Sequence, residues 1–328
     1  MNMSVFDGKT VLVTGGTGSF GQKFTEIVLR EHNPESIRVY SRGELKQFEM
    51  NNRFNDPRIR FLIGDVRDRG RLYRAMNNVD IVVHAAALKQ VPTCEYNPIE
   101  AVRTNIDGSM NVIDAAIDNS VEKVVVISTD KAVHPVNLYG STKMVAEKLF
   151  VQGNSYTGER NTRFSCVRYG NVVGSRGSVI PLFKEQKKKG EITITDERMT
   201  RFWITLDQGV RFVIDCIECM VGGEIFIPKI SSMRVTDLAD AIVPGAKKRI
   251  IGIRAGEKLH ETLLTMDEAW VAKEFDNYFM IEPEHPFWDE YNLGEEKPLP
   301  EGFSYTSDSN DKWLTEEELM KIVDGYDI

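Results

Sequence analysis

Two short stretches place reactive side chains in usable order. Thr129-Asp130-Lys131 sets a hydroxyl, a carboxyl and an amine side by side. The hydroxyl suits binding of a substrate oxygen. The adjacent acid and base suit loss of water: one protonates a departing hydroxyl while the other takes a proton from beside a carbonyl. A lysine serves as base only if burial or nearby positive charge lowers its pKa. The alternative is a solvated ion pair in a surface loop. Ten residues on, Tyr139-Gly140-Ser141-Thr142-Lys143 reads Y-x-x-x-K. Four-residue spacing on a helix puts both ends on one face. A neighbouring ammonium would lower the phenol's pKa and let Tyr139 act as a base near neutrality.

The N-terminal end carries a different signature. Gly15, Gly18 and Gly21 are spaced three apart, with Thr17, Ser19 and Phe20 between them. They follow an apolar β-branched run and open a segment of helical periodicity, the context a dinucleotide fingerprint demands. Such glycines permit a tight turn and close approach of backbone to a pyrophosphate, which sits on the helix N-terminus. At the end of the second strand, where an NAD-binding chain usually has Asp or Glu, stand Ser41 and Arg42, with Lys46 one turn later. A guanidinium suits a ribose 2′-phosphate, which favours NADP; the competing reading of Arg42 is a solvated surface charge. Asp65, followed by Val66, is placed either to accept from the adenine amino group or to cap the next helix. Ala85-Ala86-Ala87 offers small residues beside the ribose and nicotinamide, and Lys143 could hold the nicotinamide ribose.

The elements that must position these groups alternate. Strands are expected at residues 9–14, 36–40, 59–63, 80–84, 123–128 and 164–168, and helices at 21–31, about 105–119 and 141–152. Apolar strands alternating with amphipathic helices imply an α/β fold, a Rossmann-type doubly wound parallel sheet, with a smaller C-terminal substrate-binding domain. We expect the dinucleotide domain over 1–170 with a return segment near 202–222, and the substrate domain over 171–201 and 223–328. Residues 283–300 read as an acidic, proline-containing surface excursion.

Bulk properties narrow the partners. The 328 residues carry 41 Lys and Arg against 49 Asp and Glu, a net charge of −8. That argues against nucleic acid or an anionic membrane surface. No apolar run is long enough to span a bilayer and no secretory signal is seen, so a cytoplasmic protein is expected. Four cysteines in this length do not form a disulfide framework. Cys216-x-x-Cys219 falls in a segment of helical spacing and lacks further ligands, so no metal is expected.

Taken together, Gly15–Gly21, Thr129-Asp130-Lys131 and Tyr139-x-x-x-Lys143 resemble the extended short-chain dehydrogenase/reductases acting on nucleotide sugars. Longer stretches, among them His84–Lys89, Tyr169–Ser178, Met199–Thr205 and Gly256–Glu261, are similar to the inverting UDP-N-acetylglucosamine 4,6-dehydratases, most of all the branch that opens pseudaminic acid synthesis. The resemblance spans nearly the whole chain. It implies a hydro-lyase that oxidises carbon 4 of the sugar with NADP, eliminates water across carbons 5 and 6, returns the hydride to carbon 6 and inverts carbon 5. By that likeness Asp130 is the acid and Lys131 the base, Tyr139 handles the carbon-4 hydroxyl beside Thr129, and Lys143 supports tyrosine and cofactor. Lys89 and Val172 fall near the cofactor. Lys89, Thr129, Asn171, Arg176, Thr193, Met199, Arg201, Arg254 and Glu257 fall at the UDP-sugar, arginine forks suiting its pyrophosphate. Phe202-Trp203-Ile204 reads as core. Self-association into a dimer or hexamer is also implied. Ala255, Gln90 and His134 depart from the family's usual proline, histidine and asparagine. The competing functions are a retaining 4,6-dehydratase, a 4-epimerase, or a non-catalytic NADP-binding sensor. Asp130-Lys131 argues against the epimerase, and the retained Tyr139 and Lys143 against the sensor.

Overall fold

The computed structural model describes residues 4–173, 179–187, 190–283 and 296–324. Six strands follow the expected alternation: β1 (Thr10–Thr14), β2 (Ser36–Ser41), β3 (Ile59–Ile63), β4 (Ile81–His84), β5 (Lys123–Thr129) and β6 (Arg163–Tyr169). Each lies within one residue of its expected bounds. The helices between them are α1 (Ser19–Glu31), α2 (Glu44–Phe54), α3 (Arg69–Ala75), α4 (Val91–Tyr96), α5 (Pro98–Val102), α6 (Gly108–Asp118) and α7 (Leu138–Gly153). A five-residue π-turn, Arg103–Asp107, leads into α6. Helix α7 begins three residues before the expected Ser141, because Asn137 caps it by accepting from the Gly140 N–H. Tyr139 therefore lies within the first turn.

All six strands run parallel, in the spatial order β3-β2-β1-β4-β5-β6. β1, β4 and the middle of β5 are apolar and buried on both faces, as a sheet covered by helices on each side requires. The order reverses between β1 and β4, and in open α/β sheets ligands bind at the carboxyl edge beside such a switch. The sheet then continues. Ile225–Pro228 adds a parallel strand against β6, and Tyr278–Ile281, Ala272–Glu274 and Lys297–Pro298 extend it antiparallel. The side chains of Ile225, Phe226, Ile227 and Phe279 join the main core.

A second, smaller core gathers Ile180, Phe183, Ile192, Ile194, Trp203, Met233, Leu238 and Leu319. Above it Asn171–Val172, Thr200–Ile204 and Ser231–Arg234 form a three-stranded sheet. Phe202 packs in the main core and Trp203 in the smaller one, so this strand links the two. Cys216 and Cys219 lie on helix Leu206–Cys219 as free thiols. Burial pushes the Cys219 thiol up to about 11. Among the described residues, no helix is long and apolar enough to cross a membrane.

Candidate active site

A cleft of about 850 Å³ opens along the carboxyl edge of the sheet, between the two cores. Its walls bring together most of the residues singled out above: Gly15, Thr17, Gly18, Ser19, Phe20, Ser41, Arg42, Lys46, Asp65, Val66, Ala85, Ala86 and Ala87 at one end, and Lys89, Thr129, Lys131, Tyr139, Lys143, Asn171 and Val172 at the other. Trp203 and Ile180 of the smaller core close the far side.

The glycines explain the first end. Gly15 has φ +66°, and a Cβ there would come 2.9 Å from the Ala86 backbone. The turn after β1 thus lies against the residues after β4 without intervening side chains. Gly21 is outside the cleft, and its role is packing: a Cβ would meet Gly16 Cα at 2.4 Å. Gly18 is the N-cap of α1 and supplies no side-chain cap, leaving the helix N–H groups facing the cleft. This cradle fits a dinucleotide pyrophosphate. Arg42, more than half exposed, stands at the end of β2 with its guanidinium 3.7 Å from Asp65. Asp65 does not cap α3. Asp68 does, accepting from the Arg71 N–H, while the Asp65 carboxylate accepts from the Arg67 backbone and guanidinium. The adjacent charge of Arg67 holds it below the usual range despite burial, which acts the other way.

At the other end β5 delivers Thr129, and a short 3-10 turn, Asp130–Ala132, delivers the acid and amine. Asp130 is fully buried. Its Oδ1 accepts from the Thr129 hydroxyl at 2.9 Å and from Lys131 Nζ at 2.9 Å. With Asp130 buried and Lys131 half-buried, this is not a solvated loop pair. Lys131 Nζ also donates to Asn171 Oδ1 at 3.1 Å and stands 3.5 Å from Glu261 Oε1. Helix α7 reaches this turn because the residue directly after Tyr139 has no side chain: a Cβ on Gly140 would sit 2.1 Å from the Lys131 carbonyl oxygen. Asn137 further ties α7 to the Gly256 carbonyl at 2.8 Å.

The electrostatics differ from expectation in two respects. Burial pushes Tyr139 up to about 12, and the cation drawing it down is Lys131 rather than Lys143. Burial likewise pulls Lys131 down, but Asp130 and Glu261 outweigh it and hold the ammonium above the usual lysine range. Burial does depress Lys143, to about 8. Lys89 is lowered by burial and by repulsion from Lys131.

Not every expected residue meets the cleft. Thr193 is engaged with Gln186, at 2.8 Å through its hydroxyl. Met199 accepts from Arg201 Nη2 through its sulfur at 3.0 Å. Arg201 is buried and donates to the carbonyls of Thr200, Leu259 and Lys258. Arg254 is exposed and pairs with Glu257 at 3.6 Å. These five lie outside the cleft wall, and Arg176 lies outside the described residues. Conversely, Ser128 and Thr104 line the cleft, and their buried hydroxyls have no hydrogen-bond partner among the described residues. Glu261, inside a motif read for its likeness, faces Lys131 across 130 residues of chain; no local spacing signals that. Among the described residues no group of three or more His, Cys, Asp or Glu converges as a metal site would.

Residues 11–283 match the model of a family described as polysaccharide biosynthesis protein. The chain belongs to that family. The UDP-N-acetylglucosamine 4,6-dehydratase (inverting) of Campylobacter jejuni serotype O:2 is 54% identical over 97% of this chain and 98% of its own. The UDP-glucose 4-epimerase of Rickettsia akari is 41% identical over 97% and 96%. Among solved structures, Pen from Bacillus thuringiensis superposes with a TM-score of 0.90 at 42% identity, covering 98% of both chains. The dTDP-glucose 4,6-dehydratase of Streptomyces venezuelae, solved with NAD and TYD bound, gives a TM-score of 0.68 at 24% identity over 76% of this chain and 86% of that one, a likeness of fold. The resemblance to the inverting dehydratases within the extended short-chain dehydrogenase/reductases is thus shown over nearly the full chain of this family member.

Proposed function

We propose that the chain is an NADP-dependent UDP-N-acetylglucosamine 4,6-dehydratase that inverts carbon 5, yielding the UDP-linked 2-acetamido-2,6-dideoxy-β-L-arabino-hex-4-ulose. The observation that carries this reading is the acid–amine pair, 2.9 Å apart, in which Lys131 lines the dinucleotide cleft beside Tyr139 and Asp130 lies fully buried behind it. A 4-epimerase has no water to remove and needs no such pair. The named activity of the Campylobacter jejuni relative supports the substrate. Arg42, Ser41 and Lys46 support NADP over NAD, a cationic fork suiting the 2′-phosphate.

The chemistry NADP supplies when bound is reversible hydride transfer, from carbon 4 of the sugar and later to carbon 6. Tyr139 takes the carbon-4 hydroxyl proton, helped by the Lys131 charge that opposes its high pKa. Lys143, which lines the same cleft, would hold the nicotinamide ribose. Once carbon 4 is a ketone, the carbon-5 proton is acidic. Lys131 must then be a neutral amine and Asp130 a carboxylic acid. A single proton moving along their 2.9 Å hydrogen bond converts the ion pair to that form with no change in total charge. Lys131 takes the carbon-5 proton, the electron pair passes to the ketone oxygen as an enolate, and its return expels the carbon-6 hydroxyl with the Asp130 proton as water; once carbon 6 is reduced, carbon 5 takes a proton from the face opposite Lys131, which inverts it. We place the UDP-sugar against the side of the cleft that Ile180 and Trp203 of the smaller core close. Lys89 and Asn171, with Arg176, suit its phosphates and sugar. Thr193, Met199, Arg201, Arg254 and Glu257 would form an outer shell behind the cleft wall.

The test is incubation with UDP-N-acetylglucosamine in heavy water, read by mass and proton NMR. Expected are loss of one water, a carbon-6 methyl group, deuterium at carbon 5 and L-arabino couplings. Unchanged carbon-5 configuration would remove the inversion; interconversion at carbon 4 without water loss would establish an epimerase.

A further inference from the structure

Behind the Asp130–Lys131 pair lies a carboxylate that none of the steps above employs. Glu261 is 2% exposed. Its backbone is fixed in both directions to Ser307: its N–H donates to Ser307 Oγ at 2.9 Å and its carbonyl accepts from the Ser307 N–H at 2.8 Å. Three cations converge on its side chain. Lys131 Nζ is 3.5 Å and Arg201 Nε 3.8 Å from Oε1, and Lys258 Nζ is 3.7 Å from Oε2. Oε2 has no hydrogen-bond partner among the described residues.

The three cations are not equivalent. Arg201 spends both terminal nitrogens on neighbouring acceptors, chiefly the carbonyls of Thr200, Leu259 and Lys258. Lys258 is anchored on the Val133 carbonyl. Both belong to the frame. Lys131 alone of the three lines the cleft. Its three N–H donors face three acceptors, Asp130 Oδ1, Asn171 Oδ1 and Glu261 Oε1. When Lys131 loses a proton to Asp130, the first of these ceases to attract it as a carboxylate. Glu261 remains the one anion fixed beside the amine.

We infer that Glu261 is a positioning residue for the elimination, aiming the Lys131 amine and stabilising the ammonium formed when it takes the carbon-5 proton. The inference rests on the dehydratase reading above. A carboxylate behind a base raises its proton affinity through charge attraction, which is strengthened in a buried setting. Facing Lys131 are the anions Asp130 and Glu261 and the cations Arg201, Lys258 and Lys89, with the Tyr139 phenol also near. Glu261 is the member of this set that is anionic and outside the shared-proton pair. At high pH the pair loses its shared proton and no acid remains for the leaving hydroxyl. Glu261 delays that loss, so it sets the alkaline limb of the activity profile.

The experiment compares full-length wild type, Glu261→Gln, Glu261→Asp and Lys258→Met with UDP-N-acetylglucosamine across pH. It reads kcat, KM and the isotope effect of carbon-5 deuterated substrate. Glu261→Gln should lower kcat at least about tenfold with little change in KM, move the alkaline limb down by about one pH unit, and raise the carbon-5 isotope effect. Glu261→Asp, which keeps the charge, should recover part of the rate and of the limb. Lys258→Met removes a competing cation and should move the limb upward, a test that stands even if Glu261→Gln does not fold. Unmoved limbs in the folded variants, or a loss confined to KM, overturn the inference while leaving the dehydratase reading intact. Wild-type protein that forms no dehydrated product overturns both, and is seen before any variant is compared.

Discussion

At the residue scale, the cleft divides into groups whose identity matters for charge and groups that matter for having no side chain. Arg42 belongs to the first. It is exposed, its nearest anion is Asp65 at 3.7 Å, and Asp65 is already satisfied by Arg67. The guanidinium is therefore available to a phosphate at the end of β2. Arg42→Ala should weaken NADP binding at least about tenfold, the loss of about 1.4 kcal/mol expected for one charge-assisted contact, and leave NAD binding nearly unchanged. Calorimetric titration with both nucleotides reads this directly; equal weakening for the two would remove Arg42 from the 2′-phosphate. The sequence made this residue legible because a strand end at a fixed distance from a glycine turn is a local feature. It did not make the protonation of Tyr139 and Lys131 legible. Those depend on burial and on Glu261, which only the tertiary fold brings beside Lys131.

At the element scale, the strands were legible to within a residue because period and β-branching are local, whereas the start of α7 was not, because it is set by the Asn137 cap. That cap and Gly140 place α7. With its would-be Cβ 2.1 Å from the Lys131 carbonyl, Gly140 lets α7 lie directly on the Asp130–Ala132 turn. A second fastening holds the helix to β6. Arg168 reaches Glu147 of α7 at 2.8 Å and Glu268 at 2.9 Å, all in a largely buried site. Nothing in the spacing of these three residues announces the contact. Gly140→Ala must move the turn or the helix, since the clash is with backbone. An overpacking cost of about 1–3 kcal/mol is expected, with a loss of kcat far greater than that of Arg42→Ala. Urea unfolding and turnover check the two parts. Stability and rate both within error of wild type would mean the helix does not rest on the turn as described.

At the scale of the whole molecule, the sheet's switch point is held by a buried histidine, and this fixes how the fold responds to acid. His84 ends β4; its Nδ1 and the Thr14 hydroxyl at the end of β1 are 2.8 Å apart, and its ring packs on Phe150 of α7 at 5.6 Å. It thereby joins the two strands of the switch point to α7. Burial, with repulsion from Lys143, depresses its pKa to about 3. The unfolded chain, with an ordinary histidine near 6.5, binds the proton first as pH falls. Between about pH 6.5 and 3 the unfolded state holds more protons than the folded one, so stability falls as pH falls. The loss approaches about 2 kcal/mol by pH 5, at 1.36 kcal/mol per pH unit below the unfolded value. Lys143, depressed to about 8, acts in a separate window: its contribution changes between about pH 8 and 10.5, where stability rises with pH. The window from pH 6.5 to 5 also lies above the range where ordinary carboxylates titrate, so it isolates the histidine. His84→Asn keeps a polar partner for Thr14 without a titrating ring. It should be less stable than wild type at pH 7, through loss of packing on Phe150, yet lose less stability on going to pH 5. Urea unfolding at pH 7, 6 and 5 compares the two slopes, and parallel slopes would show that acid sensitivity arises elsewhere in the molecule.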